Sequence, residues 1–145
     1  MKDIRYEDTI TELERELRHL CTVIKQKGRE ILTNFEITPP QFQALQYLIN
    51  EENLTIGELS NKMYLACSTI TDLVDRMEKN ELVKRVRDEK DRRVVRIYVL
   101  EKGHEIINEV LDARRHYLDD LLQDLHSDEK KAILKSVEMI YSRTV

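Results

Sequence analysis

The sequence contains little of the material from which disulfide-stapled, all-β or membrane-spanning proteins are built. Its 145 residues include two cysteines, two prolines, three glycines and no tryptophan, whereas 36% of the residues are charged. Scarce glycine and proline with abundant charge favour helices over a β-sandwich. No stretch approaches the roughly 18 apolar residues of a membrane span, and the charged N-terminus has no apolar signal segment. We therefore expect a mostly α, cytoplasmic protein.

The sequence also lacks the spacings that catalysis and metal binding require. The cysteines, Cys21 and Cys67, are far apart, which fits a reducing compartment better than a disulfide framework. The four histidines are dispersed and form neither a ligand set nor a catalytic pair. No glycine-rich phosphate loop and no nucleophile beside a base are present. We expect neither an enzyme nor a bound cofactor or metal.

Positive charge is concentrated in one short segment of an acidic chain. Between Lys84 and Arg96, seven basic residues stand against three acidic ones, which gives this segment a net charge of +4. Because the whole chain carries −4, the remainder carries −8. A basic island on an acidic body is what local phosphate binding needs, although a solvated loop has the same composition.

Apolar periodicity predicts long helices at both ends of the chain. From Tyr6 to Phe35, apolar residues recur at steps of three, four and seven, as in one amphipathic helix. A second long helix follows Gly103, and Ser127 to Glu129 can cap a last one. These three helices carry more apolar surface than a small core can cover, so we expect them to form a homodimer.

The central segment predicts a winged helix-turn-helix. Thr38 to Gln41 and Thr55 to Glu58 each read as a capping box that starts a helix. After a tight turn, a helix with a polar opening turn follows, and then two Val-rich and Ile-rich strands, 82–87 and 94–100, flank a basic tip. We expect three segments: a dimerisation helix at 1–37, a DNA-binding lobe at 38–100 and dimerisation helices at 101–145.

This order predicts how the chain contacts duplex DNA. A major groove about 12 Å wide admits one α-helix, whose first side chains meet the base edges, and an arginine at the hairpin tip suits a narrow minor groove. Arg93 is the expected minor-groove residue. The expected DNA-binding residues are Ser68, Thr69, Thr71, Asp72, Arg76, Lys90, Arg92 and Arg93.

Several motifs resemble the MarR-type transcription regulators. The segment from Asp88 to Arg93, followed by a strand and Leu100 to Gly103, is similar to that family's wing, and Ser68 to Glu78 is similar to its recognition helix. The resemblance covers nearly the whole chain. It implies that Asp91 holds Arg93 in the minor groove, that the terminal helices form the dimer, and that a small-molecule effector binds. Lys90 and Asp72 depart from the family's usual residues, and Asp72 puts the details of base readout in doubt.

Three interpretations remain open from the residues alone. The first interpretation is a transcription regulator, which we expect to be a repressor that binds a pseudo-palindromic operator. The alternative is a protein-protein docking module, because Asp72 and Asp75 make the recognition face acidic. Cys67, just ahead of the recognition helix, is either a redox switch or a small turn residue. Five tyrosines are either the lining of an effector pocket or core aromatics: Tyr6, Tyr47, Tyr64, Tyr117 and Tyr141.

Overall fold

The computed structural model describes residues 6–145, and the predicted order of helices and hairpin is confirmed. The first strand begins one residue later than expected, and the second is one residue shorter at each end. The elements are α1 (Asp8–Leu32), α2 (Pro39–Asn50), α3 (Ile56–Met63), α4 (Cys67–Lys79), β1 (Val83–Arg87), β2 (Val95–Val99), α5 (Glu101–Leu121) and α6 (Ser127–Thr144).

The helix starts show which of the predicted caps form. At α2 the box is complete: the Thr38 hydroxyl accepts from the Gln41 N–H at 3.3 Å, and the Gln41 side chain accepts from the Thr38 N–H at 3.1 Å. At α3 only the Thr55 half forms, with a 3.1 Å bond from the Glu58 N–H. The Glu58 half of that prediction is wrong, because the structure has no hydrogen bond from the Thr55 N–H to the Glu58 carboxylate.

The hairpin is joined to the helices by its inner strand. β1 and β2 pair antiparallel, with Val83 opposite Val99 and Arg87 opposite Val95. On its other edge β2 meets the turn between α2 and α3, where the Ile97 N–H donates to the Leu54 carbonyl at 2.9 Å. β2 is therefore paired on both edges, which ties the wing to the helical part of the lobe.

The core of the lobe lies where α2, α3, α4 and the two strands meet. Residues from every one of these elements are fully buried, so the helices and the wing share one apolar interior. These residues are Leu45, Leu59, Ile70, Val74, Met77, Val83 and Ile97.

The chain divides into two compact units, one ending at Val110 and one spanning Leu111–Val145. In the first unit, Ile31 and Leu32 at the end of α1 are buried, as are Ile107 and Val110 in the first half of α5. In the second unit, α6 has no buried residue. The expected division at residues 37 and 100 concerns function and stays a prediction.

Gly103 allows the start of α5 to approach the hairpin closely. A Cβ atom at this position would lie 2.5 Å from the Leu82 carbonyl oxygen and 2.8 Å from Val99 Cγ1. The first of these contacts is with backbone, which cannot rotate away as a side chain can. Only glycine fits here without moving α5 or the strand ends.

We predict that Gly103→Ala lowers the free energy of unfolding by about 1–3 kcal/mol, because the added methyl overpacks the junction. Gly28→Ala is the matched control, since nothing lies within 4 Å of a Cβ there. The control should raise stability by about 0.5–1 kcal/mol, as alanine does inside a helix. Urea unfolding at one fixed protein concentration measures both, and equal effects of the two substitutions would contradict the prediction.

Candidate nucleic-acid interface

Helix α4 presents one buried face and one polar, exposed face. Ile70, Val74 and Met77 are buried at helical spacing and anchor the helix to the core. The five predicted DNA-binding residues of this helix are all exposed on its other sides. They are Ser68, Thr69, Thr71, Asp72 and Arg76.

The first turn of α4 leaves its polar groups available for a ligand. The helix begins at Cys67, so the prediction that this cysteine lies just ahead of the helix is wrong, and Ala66 at the N-cap offers no side-chain hydrogen bond. The Thr71 hydroxyl donates to the Cys67 carbonyl at 2.9 Å, so it retains only its acceptor capacity. Serine and threonine hydroxyls at such a helix start can serve any base or a phosphate.

A buried serine holds the turn between α3 and α4. The Ser60 hydroxyl donates to the Leu65 carbonyl at 2.5 Å.

Tyr64, which ends α3, has the left-handed φ of 55° and is 93% exposed. Tyr6 and Tyr141 are also exposed, so the interpretation of these three tyrosines as core aromatics is wrong. An aromatic pocket for an effector stays a prediction.

The hairpin tip is shaped by two aspartates that accept bonds from nearby backbone N–H groups. Asp88 accepts from the Lys90 N–H at 2.8 Å, and Asp91 accepts from the Arg93 N–H at 3.1 Å. Backbone bonds between Asp88 and Val94 and between Val94 and Asp91 close the loop. Such local bonds are the reason that aspartate favours turns, and they give the charged tip a defined shape.

At this tip, Asp91 and Arg93 form the ion pair that the resemblance implied. Arg93 Nε lies 3.2 Å from Asp91 Oδ1, and Arg93 Nη2 lies 3.3 Å from Asp91 Oδ2. The hydrogen bond from the Arg93 side chain, with a second from its N–H, lowers the pKa of the Asp91 carboxyl. The Arg93 side chain is 91% exposed. The pair therefore orients a cation that projects into solvent, whereas its role in binding stays a prediction.

A second arginine, which the sequence did not indicate, anchors the base of the wing. Arg96 lies 3.1 Å from Asp88 through its Nε atom and donates through Nη1 to the Asn53 carbonyl at 2.9 Å. The Lys90 N–H and the Arg96 side chain both lower the pKa of the Asp88 carboxyl. The Arg96 contact could not be found from a motif, because Asn53 is 43 residues away in sequence.

The other predicted residues are exposed without forming a cluster of their own. Lys90 and Arg92 project from the tip, and the Arg92 carbonyl accepts from Arg87 Nη1 at 3.0 Å. Both cysteine thiols are free and exposed. The redox role of Cys67 stays a prediction.

Residues 6–145 contain no group of three histidine, cysteine or acidic side chains placed to hold a metal ion. Within the same range, every helix is too short or too polar to cross a membrane.

A capped short helix, a turn, a polar-fronted helix and a basic hairpin on one core define a winged helix-turn-helix protein. Comparison with known proteins identifies the family of winged helix-turn-helix proteins to which the chain belongs. A sequence model described as the MarR family matches residues 37–95. An uncharacterised HTH-type transcriptional regulator of Bacillus subtilis, YsmB, is 56% identical over 87% of this chain and 86% of its own length. The chain belongs to the MarR family.

Solved structures agree with this assignment. A MarR family protein from Bacillus stearothermophilus has a TM-score of 0.87 at 52% identity, over 97% of this chain and 99% of its own. A transcriptional regulator from Thermotoga maritima has a TM-score of 0.78 at 34% identity, over 91% and 93%. A MepR variant from S. aureus, solved bound to an oligodeoxyribonucleotide, shares the fold at 22% identity, with a TM-score of 0.70 over 96% and 100%.

We predict that Arg93→Ala raises the pKa of Asp91 toward that of a free aspartate, because the largest cause of its lowering is removed. In the native protein the contribution of this ion pair to the free energy of unfolding is present at neutral pH. It is lost only as the pH falls through the lowered pKa of Asp91. Carboxyl NMR titration measures both values. Arg92→Ala is the control, and an Asp91 pKa that responds equally to both substitutions would refute the assignment.

Proposed function

We propose that this chain is a sequence-specific transcription regulator that binds duplex DNA and acts as a repressor in the cytoplasm. The observation that carries the proposal is the placement of Arg93. It projects almost fully exposed from a defined hairpin tip, and that hairpin is built on the same core as α4. A helix and an arginine tip on one rigid base match adjacent major and minor grooves.

Each predicted side chain has a physical role in this interface. Ser68 and Thr69 at the start of α4 meet base edges in the major groove, and Arg76, about two turns further on, meets a phosphate. Arg93 enters the minor groove, where a narrow A·T-rich stretch concentrates negative potential. Lys90 and Arg92 beside it contact phosphates and make binding salt-dependent.

Asp72 is the member of the set with the most specific consequence. It is exposed on α4, and no ion pair engages it among the residues that the structure describes. A carboxylate repels phosphates but accepts a hydrogen bond from the amino group of cytosine. We therefore assign Asp72 to base readout, with a preference for cytosine opposite it.

The proposed sign of regulation rests on relatives. A protein named transcriptional repressor MprA, from Escherichia coli, is 28% identical over 98% of this chain. A bound regulator that covers a promoter acts as a repressor without any catalysis, so no enzymatic activity is part of the proposal. Release by a small-molecule effector or by oxidation of Cys67 stays a prediction.

The exposed apolar surface supports a homodimer. On α1, Leu13, Leu17 and Ile24 are exposed at helical spacing, and on α6 Val137 and Ile140 are exposed in the same way. A contiguous apolar stripe of this kind is rare on a monomer, and a second copy of the chain would cover it. Two recognition helices then bind a pseudo-palindromic operator about one helical turn apart.

The docking alternative has lost part of its basis. Asp75, one of the two acidic residues that motivated it, lies 2.6 Å from Arg85 Nη2 in an internal ion pair. The face of α4 is therefore less acidic than the sequence indicated, which favours the DNA-binding proposal.

We expect Arg93→Ala to weaken binding to the DNA upstream of the protein's own gene by roughly tenfold or more, because the minor-groove contact is lost. Titration by fluorescence anisotropy at several salt concentrations measures the loss. Arg18→Ala, which removes an exposed arginine of α1, is the control and should bind as the native protein does. Native binding with no preference over random duplex would overturn the proposed function.

A single charge in the apolar stripe of α1 should prevent the dimer. Leu17→Glu places a carboxylate where the second copy would pack, and burying it unpaired costs several kcal/mol. Gln26→Glu adds the same charge on the opposite side of α1 and should leave the dimer intact. Sedimentation equilibrium distinguishes the two, and a Leu17→Glu protein that stays dimeric would exclude α1 from the interface.

A further inference from the structure

Arg85 of the outer wing strand connects the wing to the recognition helix. Its guanidinium lies 3.0 Å from Glu78 Oε1 through Nη1 and 2.6 Å from Asp75 Oδ1 through Nη2. The same Nη2 atom lies 3.4 Å from the Thr71 carbonyl oxygen. One side chain of β1 thus contacts three residues on one face of α4, spread over about two turns of the helix.

The backbone of Arg85 takes part in the same connection. β1 pairs with β2 on one edge, and on its free edge the Arg85 N–H donates to Glu78 Oε2 at 2.9 Å. Glu78 therefore receives two bonds from Arg85, one from the main chain and one from the side chain. Two bonds to one carboxylate define an angle as well as a distance.

This connection supplies what the apolar contact between α4 and the hairpin does not. Burial of Ile70, Val74 and Met77 packs α4 on the core, but apolar contact is non-directional and does not orient polar groups. Hydrogen bonds between charged groups are directional. The Arg85 side chain is 25% exposed, whereas those of Glu78 and Asp75 are 41% and 57% exposed, so water screens these bonds only in part.

We propose that Arg85 is a positioning residue for DNA recognition: through Glu78 and Asp75 it sets the register of α4 against the wing, so that both reach their grooves together. The inference rests on the proposed function. Arg85 acts on α4 instead of on a phosphate, because its guanidinium is already directed at Glu78, Asp75 and Thr71. Arg85 thus contributes to DNA recognition without contacting a DNA base or a phosphate.

The proposal gives Glu78 an effect opposite to that expected from its charge. If Glu78 were an independent surface carboxylate near DNA, its removal would strengthen binding to every duplex by lowering repulsion. If it holds Arg85, its removal weakens binding to the preferred site, while binding to random duplex is unchanged or stronger. A loss of register lowers the ratio of specific to nonspecific affinity in this way, whereas the removal of a repelling charge does not.

The test compares four proteins on two duplexes: one selected by the native protein from a random-sequence library, and one scrambled. Glu78→Ala and Arg85→Met should each lower affinity for the selected duplex at least about fivefold and leave the scrambled duplex within about twofold. Arg18→Met is the matched control, because it removes an arginine from the bidentate pair with Glu14 on α1. It should behave as the native protein does.

The salt dependence separates positioning from direct contact. Arg76→Met, which removes a proposed phosphate contact, should reduce the slope of log affinity against log salt by about one, whereas Arg85→Met should leave the slope unchanged. A reduced slope for Arg85→Met would show a direct phosphate contact and overturn the proposal. Tighter binding of Glu78→Ala to both duplexes would overturn it as well.

Two further outcomes are distinguishable. If the native protein selects no duplex from the library, the proposed function itself fails. If the native protein selects one and the Glu78 and Arg85 variants bind like the control, only the positioning role fails. Because Glu78 is exposed, thermal unfolding of Glu78→Ala should match the native curve closely. A large loss of stability in Arg85→Met leaves Glu78→Ala as the deciding variant.

Discussion

The structure depends on one shared apolar interior beneath the recognition helix and the wing. Ile70 and Met77 of α4 and Ile97 of β2 are fully buried in it, together with residues of α2 and α3. Because a close-packed interior transmits displacement instead of absorbing it, the helix and the hairpin move as one body. Gly103 extends this constraint, since the start of α5 can contact the strand ends only without a side chain there. Recognition of two grooves at once requires such a common base, whatever the individual base contacts are.

Charge arrangement explains how an acidic chain can present a DNA-binding surface. Four acidic residues at or beside the wing are paired internally: Asp91 with Arg93, Asp88 with Arg96, and both Asp75 and Glu78 with Arg85. Each carboxylate orients a cation or a loop instead of only repelling phosphate. Net charge is therefore a poor guide to the partner, because at these distances the local arrangement dominates over distant charges that salt screens.

Most of the fold could be predicted from local signals. The capping box of α2, the Val-rich and Ile-rich strand β2 and the apolar periodicity of α1 each depend on residues within a few positions of one another, and all three are confirmed. The errors lie at the two ends of α3. Thr55 begins the helix without the Glu58 carboxylate, and Tyr64 is exposed, so it is not a core aromatic. Both concern side-chain positions at a helix end, which the local pattern does not specify.

The sequence by itself determined the winged helix-turn-helix, the exposed face of α4 and the basic tip that carries Arg93, since periodicity, capping and turn chemistry are short-range. It also contained the Asp91 and Arg93 pair, whose members are two residues apart. Only the tertiary structure decided that Arg96 binds the Asn53 carbonyl and that Arg85 binds Asp75 and Glu78. The physical reason is that the long side chain of an arginine in a strand can reach many hydrogen-bond acceptors. The packing of the chain decides which of these acceptors lies within hydrogen-bond distance.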